Sequence, residues 1–428
     1  MAAVGSEPQG LGLRDPRAPW KGKRVVLGIC GGIAAYKVIQ VARDLTLLGA
    51  TVDVILTEAA QEFVTTLSFE GVTGRRPVTG LFSAEGAALH VVLGKEADAI
   101  CVAPATADFM SRAASGRADD LLTTVLLATE APVVVAPSMN DQMFAHPQTQ
   151  SNLKHLTDEL EYQVVGPVTG KLAVGEGKGP GRLVDPAHIV EAVGRALTDG
   201  SRLAGKTVLI SAGPTREPLD PVRYLGNRSS GKMGYALAVA AWRRGANVTV
   251  VSGPVTVEPP LEVDLVSVET ASEMRNQMLS LVPEADVVIH AAAVSDYRPA
   301  QPHPSKLKKD RAGQELEIAL TANADIAADA KSLMKAGSVA VGFALETDDL
   351  IANATAKLAK KGFDLIVANQ AGVPGAGFES DTNKVVILSR SDSAVDVPLS
   401  SKPEVASHVL DAVEAHLAPP STSAPSPS

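Results

Sequence analysis

The sequence predicts an α/β protein with two doubly wound domains, each built on a mostly parallel sheet. Short apolar runs alternate with helical patterns along most of the chain, which is typical of strands that helices cover on both faces. The same alternation starts again after Gly200, and 428 residues exceed what a single core usually accommodates. We therefore expect a first domain over 22–198, a linker over 199–205 and a second domain over 206–417.

The first domain begins with Arg24–Ile29 (RVVLGI), an apolar run that ends in a glycine cluster and predicts a strand. The next segment has apolar residues at helical spacing and stops at Gly49, which predicts a helix. Further strands are predicted at 51–56, 98–103 and 132–136, the last two ending at Pro104 and Pro137. In the second domain, strands are predicted at 207–211, 247–251, 286–290, 339–343 and 365–368.

Charge and hydropathy exclude several classes of protein. The net charge is -9, and only Lys306, Lys308 and Lys309 form a basic cluster, so neither a nucleic-acid surface nor a nucleic-acid partner is expected. The N-terminus lacks the pattern of a secretory signal, and no apolar run approaches the roughly 20 residues of a membrane span. These features predict a cytoplasmic protein with disordered ends at 1–21 and 418–428.

Ligands of open parallel sheets bind at the carboxyl ends of the strands, so the loops that follow the first-domain strands form a candidate site. They contain GGIAAYK, Thr57-Glu58, PATAD and PSMN. Gly31 and Gly32 precede a helix N-terminus, where free N–H groups favour a phosphate, although a plain strand-to-helix turn is an equally good interpretation. The glycine spacing does not match the dinucleotide fingerprint G-x-G-x-x-G.

Six features in order across 24–185 resemble the flavin-dependent cysteine decarboxylases, in particular the phosphopantothenoylcysteine decarboxylases: GGIAAYK, His90, APATAD, GRADDLLT, PSMN and GKGPGR. The resemblance implies bound FMN, which would oxidise the substrate thiol to a thioaldehyde before CO₂ leaves. His90 would act as a base or electrostatic partner, Asn140 would hold the substrate carboxylate, and a flap over 170–182 would exclude water. The implied cofactor contacts are Gly31, Gly32, Ile33, Ala34, Thr57, Ala105, Thr106 and Met139.

The flap departs from this family at Val174, where many members have a cysteine that protonates the product. Because valine cannot deliver a proton, we expect a substitute donor, such as a bound water, Lys171 or Glu176. Cys30 and Cys101 lie in apolar strand patterns and are not expected to replace the flap cysteine. They also form neither a disulfide framework nor a metal-binding spacing.

In the second domain, the first predicted strand leads into a long loop with the motifs AGPTREPLDPVR and NRSSGKMG, which precedes a helix. The loop lacks P-loop spacing because Met233 follows Lys232, yet it offers hydroxyls and N–H groups to an anion. Over 206–416 the sequence resembles the bacterial, CTP-using phosphopantothenate–cysteine ligases, with the further motifs AAAVSDYRPA, SKLKK, NADI, VGFALET and KLAKKGFDLIVAN.

This second resemblance implies that the 4′-phosphopantothenate carboxylate is activated as an acyl-cytidylate, which the cysteine amine attacks. Asn227 would interact with the acyl-cytidylate, and Lys306 would bind phosphates. Mg²⁺ would be coordinated by the CTP phosphates, with few protein ligands. The implied substrate and nucleotide contacts are Ala291, Ala292, Asp296, Lys306, Asn323, Ala324, Asp325, Ile326, Phe343, Lys357 and Lys361.

Together the two resemblances imply a bifunctional enzyme of coenzyme A biosynthesis, in which the second domain makes the substrate of the first. Two alternatives stay open. One is a tandem nicotinamide-dependent oxidoreductase, and the other is an active ligase beside a flavin-binding regulatory half that lacks decarboxylase activity. The implied partners are small molecules, with no membrane partner, and the families further imply trimeric flavin domains and dimeric ligase domains.

Overall fold

The computed structural model describes residues 18–82, 88–172, 175, 177–198, 200–308, 316–346, 348–370, 372, 375–377, 379–390 and 394–417. The chain divides into two compact units, Met1–Asp199 and Gly200–Ser428. Over these described ranges, no helix is both long and apolar enough to cross a membrane.

The first unit contains a sheet of five parallel strands: β1 (Arg24–Ile29), β2 (Thr51–Leu56), β3 (Ala99–Ala105), β4 (Val133–Pro137) and β5 (Gln163–Val164). The strand order is β2-β1-β3-β4-β5. The chain therefore reverses its winding direction between β1 and β3, and the carboxyl ends of these neighbouring strands border a crevice. A separate antiparallel hairpin consists of β6 (Val168–Lys171) and β7 (Lys178–Arg182).

Helices cover this sheet: α1 (Ala35–Leu47), α2 (Thr66–Thr73), α3 (Leu89–Glu96), α4 (Ala107–Ala114), α5 (Leu121–Leu127), α6 (Asp141–Ala145), α7 (Pro147–Asp158) and α8 (Pro186–Ala196). The GRADDLLT motif fixes the connection between α4 and α5. Arg112 on α4 contacts the carboxylate of Asp120 at 2.7 Å, and Asp120 also caps α5 by accepting a hydrogen bond from the Thr123 N–H at 2.8 Å. This motif therefore has a structural role in the fold.

The second unit contains twelve strands among its described residues: β8 (Thr207–Ala212), β9 (Arg216–Pro218), β10 (Tyr224–Gly226), β11 (Asn247–Ser252), β12 (Asp264–Ser267), β13 (Val287–His290), β14 (Tyr297–Pro299), β15 (Leu320–Ala322), β16 (Val339–Glu346), β17 (Leu365–Gln370), β18 (Thr382–Ser389) and β19 (Ala394–Ser401). The main sheet has the order β12-β11-β8-β13-β16-β17-β18-β19. Its first six strands are parallel, and β18 and β19 extend it with antiparallel pairs. Here the winding reverses between β8 and β13.

The helices of the second unit are α9 (Lys232–Arg243), α10 (Ala271–Leu281), α11 (Ile326–Lys331), α12 (Leu350–Lys361) and α13 (Lys402–His416). The apolar faces of α9 and α13 form one core with the strands, exemplified by Leu237, Leu410 and Ile289. Met274 of α10 and Ile326 of α11 belong to a different buried cluster with Val288. Adjacent residues of β13 thus belong to different clusters, as expected for a sheet covered on both faces.

The expectation of two α/β folds with mostly parallel sheets is confirmed. The predicted strand ends were wrong at both prolines, because β3 continues through Pro104 to Ala105 and β4 includes Pro137. The register between β3 and β4 shifts between Val102 and Ala105, and at such an irregularity a proline does not interrupt a regular ladder.

Candidate active sites

A cavity of about 390 Å³ lies at the carboxyl ends of β1, β3 and β4 in the first unit. Two helices, α1 and α4, begin at its wall, so the positive ends of their dipoles lie beside the same cavity. Of the predicted cofactor contacts, the structure brings six to this wall: Gly31, Gly32, Ile33, Ala34, Thr106 and Met139. The cavity therefore has the position and the donors of an anion-binding crevice in a doubly wound sheet.

The two glycines of the pair have different surroundings. A Cβ atom at Gly31 would lie 2.5 Å from the Cβ of Ala59 and 2.8 Å from its carbonyl oxygen, so close packing requires glycine there. A Cβ atom at Gly32 would have no neighbour closer than 3.9 Å, namely Pro104 and Thr106 side-chain atoms. Gly32 therefore presents its backbone to open space, where a ligand can approach it.

Asn140 lies at the cavity wall as the N-cap of α6. Its Oδ1 accepts a hydrogen bond from the backbone N–H of Gln142 at 2.9 Å, which orients the amide group. The side-chain N–H groups, which have no partner among the described residues, are left to donate into the cavity. A donor in this position suits a carboxylate, as predicted for Asn140.

The β6–β7 hairpin is the predicted flap, and it lies directly on the loop that carries Asn140. The Met139 N–H donates to the Gly181 carbonyl oxygen at 3.0 Å. A Cβ atom at Gly181 would lie 2.2 Å from the Met139 carbonyl oxygen, and one at Gly179 would lie 2.7 Å from the Asp141 side chain. The glycines of GKGPGR thus let the flap strand approach this loop at backbone distance.

His90 is the second residue of α3 and does not line the cavity. Its Nδ1 is buried and has no hydrogen-bond partner among the described residues. A buried polar nitrogen without a partner is costly, which indicates that a missing group satisfies it in the working protein. His90 stays a predicted catalytic residue on this observation.

Two predicted cofactor contacts lie away from the cavity surface. Thr57 is buried, and its hydroxyl donates to the Ile29 carbonyl oxygen at 3.2 Å and accepts from the Ala60 N–H at 3.2 Å. Ala105 is fully buried at the end of β3. Both residues support the shape of the loops, and direct contact of either with a cofactor stays a prediction.

The sequence analysis did not single out several residues of the cavity wall. Lys37, Arg182 and Tyr36 lie within quoted motifs, and Ser138 and Met143 follow β4. Lys37 and Arg182 could have been identified as site residues because each is a charged residue within one of the motifs quoted above. An exposed aromatic residue such as Tyr36, which is 58% exposed, is recognisable only once the fold is known.

The candidate proton donors of the first unit lie in different environments. Val174 and Glu176 lie outside the described residues, whereas Lys171 lines the cavity. Burial raises the pKa of Cys30 and of Cys101 to about 12, and both side chains are almost completely enclosed in the sheet. Neither thiol is placed to serve as an acid at the cavity, in agreement with the sequence analysis.

In the second unit, the loops that follow β8 and β13 are joined by backbone hydrogen bonds. The Ala293 N–H donates to the Gly213 carbonyl oxygen at 2.9 Å, and the Thr215 N–H donates to the Ala293 carbonyl oxygen at 3.3 Å. The buried Thr215 hydroxyl accepts from the Ser295 N–H at 3.0 Å. The motifs AGPT and AAAVS thus form one structure at the point where the winding of the sheet reverses.

Asn227 joins this structure through its side chain. Its Nδ2 donates to the carbonyl oxygens of Ala293 and Val294 at 3.0 and 3.1 Å. Both N–H groups are thereby used, and Oδ1, which has no partner in the described part of the chain, remains as an acceptor. The predicted residues Ala291 and Ala292 precede these carbonyls directly, and Asp296 follows as an exposed residue.

The NADI motif lies against the same region. The Asn323 side chain donates to the Ser295 carbonyl oxygen at 2.8 Å, Asp325 forms an ion pair with Lys361, and Ala324 and Ile326 adjoin them in the chain. The motifs AAAVSDYRPA, NADI and KLAKKGFDLIVAN therefore meet in the structure. Phe343 lies half-buried on β16, and Lys357 is 3.9 Å from Glu346.

His290, which the sequence analysis did not assign to the site, ends β13 directly before Ala291. Burial lowers the pKa of His290 to about 4; the nearby Asp325 opposes this shift, and Lys361 adds to it. Its ring contacts Phe363 with centroids 5.8 Å apart. His290 is therefore a neutral imidazole at neutral pH, packed beside the Asp325–Lys361 pair.

Lys306 lies on the wall of a second cavity of about 630 Å³, together with Leu219, His303 and Lys308. The preceding motif EPLDPVR holds this segment. The buried Asp220 carboxylate accepts from the Leu307 N–H at 3.1 Å, and Arg223 donates to the Leu307 carbonyl oxygen at 2.5 Å. Lys309 lies outside the described residues.

At the N-terminus of α9, Lys232 binds the Asp381 carboxylate at 2.7 Å and the Glu379 carbonyl oxygen at 3.1 Å. This contact joins the NRSSGKMG motif to the residues before β18. Nowhere in the described ranges do three His, Cys, Asp or Glu side chains converge to hold a metal ion.

Comparisons with known proteins match both units. The flavoprotein family model matches residues 14–198, and the model of the DNA/pantothenate metabolism flavoprotein C-terminal domain matches residues 203–417. The coenzyme A biosynthesis bifunctional protein CoaBC of Vibrio vulnificus (strain CMCP6) is 43% identical over 396 residues, covering 92% of this chain and 98% of that protein. The CoaBC protein of Escherichia coli (strain K12) is 44% identical over 395 residues, covering 92% and 97%. A crystal structure of the C-terminal domain of a CoaBC protein is 39% identical with a TM-score of 0.43, covering 50% of this chain and 96% of that chain.

Proposed function

The chain belongs to the family of coenzyme A biosynthesis bifunctional proteins, with a flavoprotein decarboxylase unit and a ligase unit. We propose the following roles for its residues in the two reactions. The second unit condenses 4′-phosphopantothenate with cysteine, using CTP and Mg²⁺. The first unit decarboxylates the product with FMN. The single observation that carries the assignment of the first site is the cavity at the ends of β1, β3 and β4, which contains a glycine backbone open to an anion.

The residues present fit a flavin phosphate. The phosphate would lie at Gly32 and Thr106, where the positive ends of the α1 and α4 dipoles lie beside one cavity. When bound, FMN supplies the two-electron oxidation that makes a cysteine carboxylate labile. His90, whose buried Nδ1 lacks a partner in the described structure, would be the residue that assists the flavin chemistry.

The chain's own residues then orient the substrate and control its protons. Asn140 donates its amide N–H to the substrate carboxylate, because its Oδ1 is held by the Gln142 N–H. His90 accepts or shares a proton at Nδ1. The β6–β7 flap shields the reacting carboxylate from water, and a water or Lys171, at the cavity wall, donates the final proton.

In the ligase unit, Asn227 acts on the second half of the reaction. Its two N–H groups are used by Ala293 and Val294, so its Oδ1 is the group left to accept a hydrogen bond. A phosphate offers few donors, whereas the attacking cysteine amine offers N–H groups. We therefore assign Asn227 to orienting the amine on the activated carboxylate.

In the ligase unit, lysine side chains bind the nucleotide. Lys306 approaches the phosphates from the wall of the second cavity, and Lys361, paired with Asp325, lies beside Asn323 near the end of β13. Mg²⁺ is held by the triphosphate, in keeping with its preference for phosphate oxygens and water. The exposed Ile33, Tyr36 and Met143 around the flavin cavity support assembly through that face, and a cytoplasmic trimer of the first unit stays a proposal.

The test is a reaction of the purified full chain with 4′-phosphopantothenate, cysteine, CTP and Mg²⁺, followed by mass analysis of products. We expect CMP, pyrophosphate, CO₂ and 4′-phosphopantetheine in equal amounts. ATP in place of CTP and a chelator in place of Mg²⁺ are the controls. Accumulation of phosphopantothenoylcysteine without CO₂ would overturn the decarboxylase assignment, and equal activity with ATP would overturn the choice of nucleotide.

A further inference from the structure

Two cationic side chains line the first-unit cavity without an assigned role. Lys37 is the third residue of α1, and Arg182 is the last residue of the flap strand β7. Both line the same 390 Å³ cavity as Gly32 and Asn140. The fold therefore brings together a helix residue and a flap residue that are 145 positions apart (182 minus 37).

Neither cation is neutralised by hydrogen bonding or ion pairing with another side chain in the described ranges. Burial and the nearby positive charge of Arg182 lower the pKa of Lys37, whereas Asp185 opposes this effect. Asp185 itself caps α8 by accepting from the Ala187 N–H at 3.2 Å. Two neighbouring cations that repel one another are stabilised when an anion binds between them.

The flap is built to hold the Arg182 side chain in this place. A Cβ atom at Gly170, on the paired strand β6, would lie 2.7 Å from Cδ of Arg182 and 3.2 Å from its Nη1. The arginine therefore packs against bare backbone, and its direction is set by the hairpin. When the flap lies over the cavity, the guanidinium is carried to its wall.

The charges of the proposed substrate decide which anion belongs there. Phosphopantothenoylcysteine has a carboxylate, which Asn140 can bind, and a phosphate monoester with a charge of about −1.5 to −2 at pH 7. The flavin phosphate is already assigned to the open backbone at Gly32. A lysine and an arginine together match a phosphate dianion, and arginine is suited to bidentate phosphate binding.

We propose that Lys37 and Arg182 bind the terminal phosphate of the substrate and so make the decarboxylase unit selective for phosphorylated over unphosphorylated pantothenoylcysteine. This inference rests on the proposed decarboxylase function and assigns the specificity of that site. Both residues act as positioning residues for the substrate.

The experiment compares two substrates and several variants of the full-length enzyme. Lys37→Met and Arg182→Met remove each charge while keeping much of the side-chain stem, and Arg182→Lys keeps the charge. Arg43→Gln removes an exposed cation from the same helix as Lys37 and is the matched control. Decarboxylation of phosphopantothenoylcysteine and of pantothenoylcysteine is followed by CO₂ release, and flavin content by visible absorbance.

We expect each methionine variant to lose about tenfold or more in kcat/KM for the phosphorylated substrate, as for loss of a charged hydrogen bond. The loss should fall mainly on KM, the unphosphorylated substrate should change by less than about twofold, and flavin content should match wild type. Arg182→Lys should recover most of the selectivity, and Arg43→Gln should retain all of it.

Four results would overturn the proposal, each in a recognisable way. Loss of flavin from the methionine variants would assign the pair to the cofactor phosphate. Equal losses for both substrates would assign it to the carboxylate or to folding. An inactive wild type with full flavin would refute the decarboxylase function itself, whereas an active wild type with unchanged selectivity in all variants would refute only this inference.

Discussion

Replacing Gly32 with valine should weaken flavin binding strongly and leave the fold intact. The Cβ position at Gly32 has 3.9 Å of clearance to Pro104 and Thr106, and its φ is not in the left-handed region. Valine therefore fits the protein without bound flavin. The loss of glycine flexibility is neutral or stabilises the fold by up to about 1 kcal/mol. Its methyl groups, however, occupy the space through which a phosphate reaches the backbone N–H groups.

The expected magnitude follows from the hydrogen bonds that are lost. Each N–H to phosphate bond contributes roughly 1.5–3 kcal/mol, so losing one weakens FMN binding by about ten- to a hundredfold. The assay is titration of the flavin-free protein with FMN, together with thermal unfolding. The neighbouring variant Gly31→Ala is the contrast, because its Cβ would overlap Ala59 and should destabilise the fold by about 1–3 kcal/mol. A folded Gly32→Val protein with wild-type FMN affinity would refute this location of the phosphate.

The remaining predictions concern both reactions. Asn227→Ala should still release pyrophosphate from CTP but form little amide, as measured by separate pyrophosphate and product assays; amide formation at the wild-type rate would contradict its role. Lys306→Met should weaken both half-reactions by about tenfold, because it removes a phosphate contact from the cavity wall, and an effect on one half-reaction alone would mean a different role. Val174→Cys should not be required for saturated product, and Cys30→Ala with Cys101→Ala should retain decarboxylation, because both thiols are buried with a raised pKa. Accumulation of the unsaturated enethiol by wild type, cured by Val174→Cys, would disprove a substitute donor.

The buried strands could be predicted because hydrophobic burial determines them locally. Arg24–Ile29 and Thr51–Leu56 are largely buried, and the sequence shows this as mostly apolar runs, with the buried Asp53 as the exception in the second strand. The short hairpins β9–β10 and β14–β15 were missed because their side chains are mostly exposed and carry no comparable pattern. Their pairing depends on tertiary contacts that periodicity does not reveal.

The candidate sites were predictable to a similar extent. Loops at strand ends gave Gly32, Thr106 and Asn140, because the carboxyl edge of a parallel sheet collects ligand-binding residues. Arg182 and Lys37 were not assigned, because only folding of the hairpin brings their charges into one cavity. Thr57 was assigned from its place in the chain, whereas its hydroxyl is used within the fold.

The contact of β7 with the Met139–Asp141 loop has a consequence for movement of the flap. In the ligand-free chain the hairpin already lies on that loop, with Gly181 bonded to the Met139 N–H. Any displacement of the flap strand from this loop must therefore break that contact, so a flap that moves during the exchange of substrate and product moves against it. A side chain at Gly179 or Gly181 would prevent this close approach and would therefore hold the flap strand away from the loop that carries Asn140.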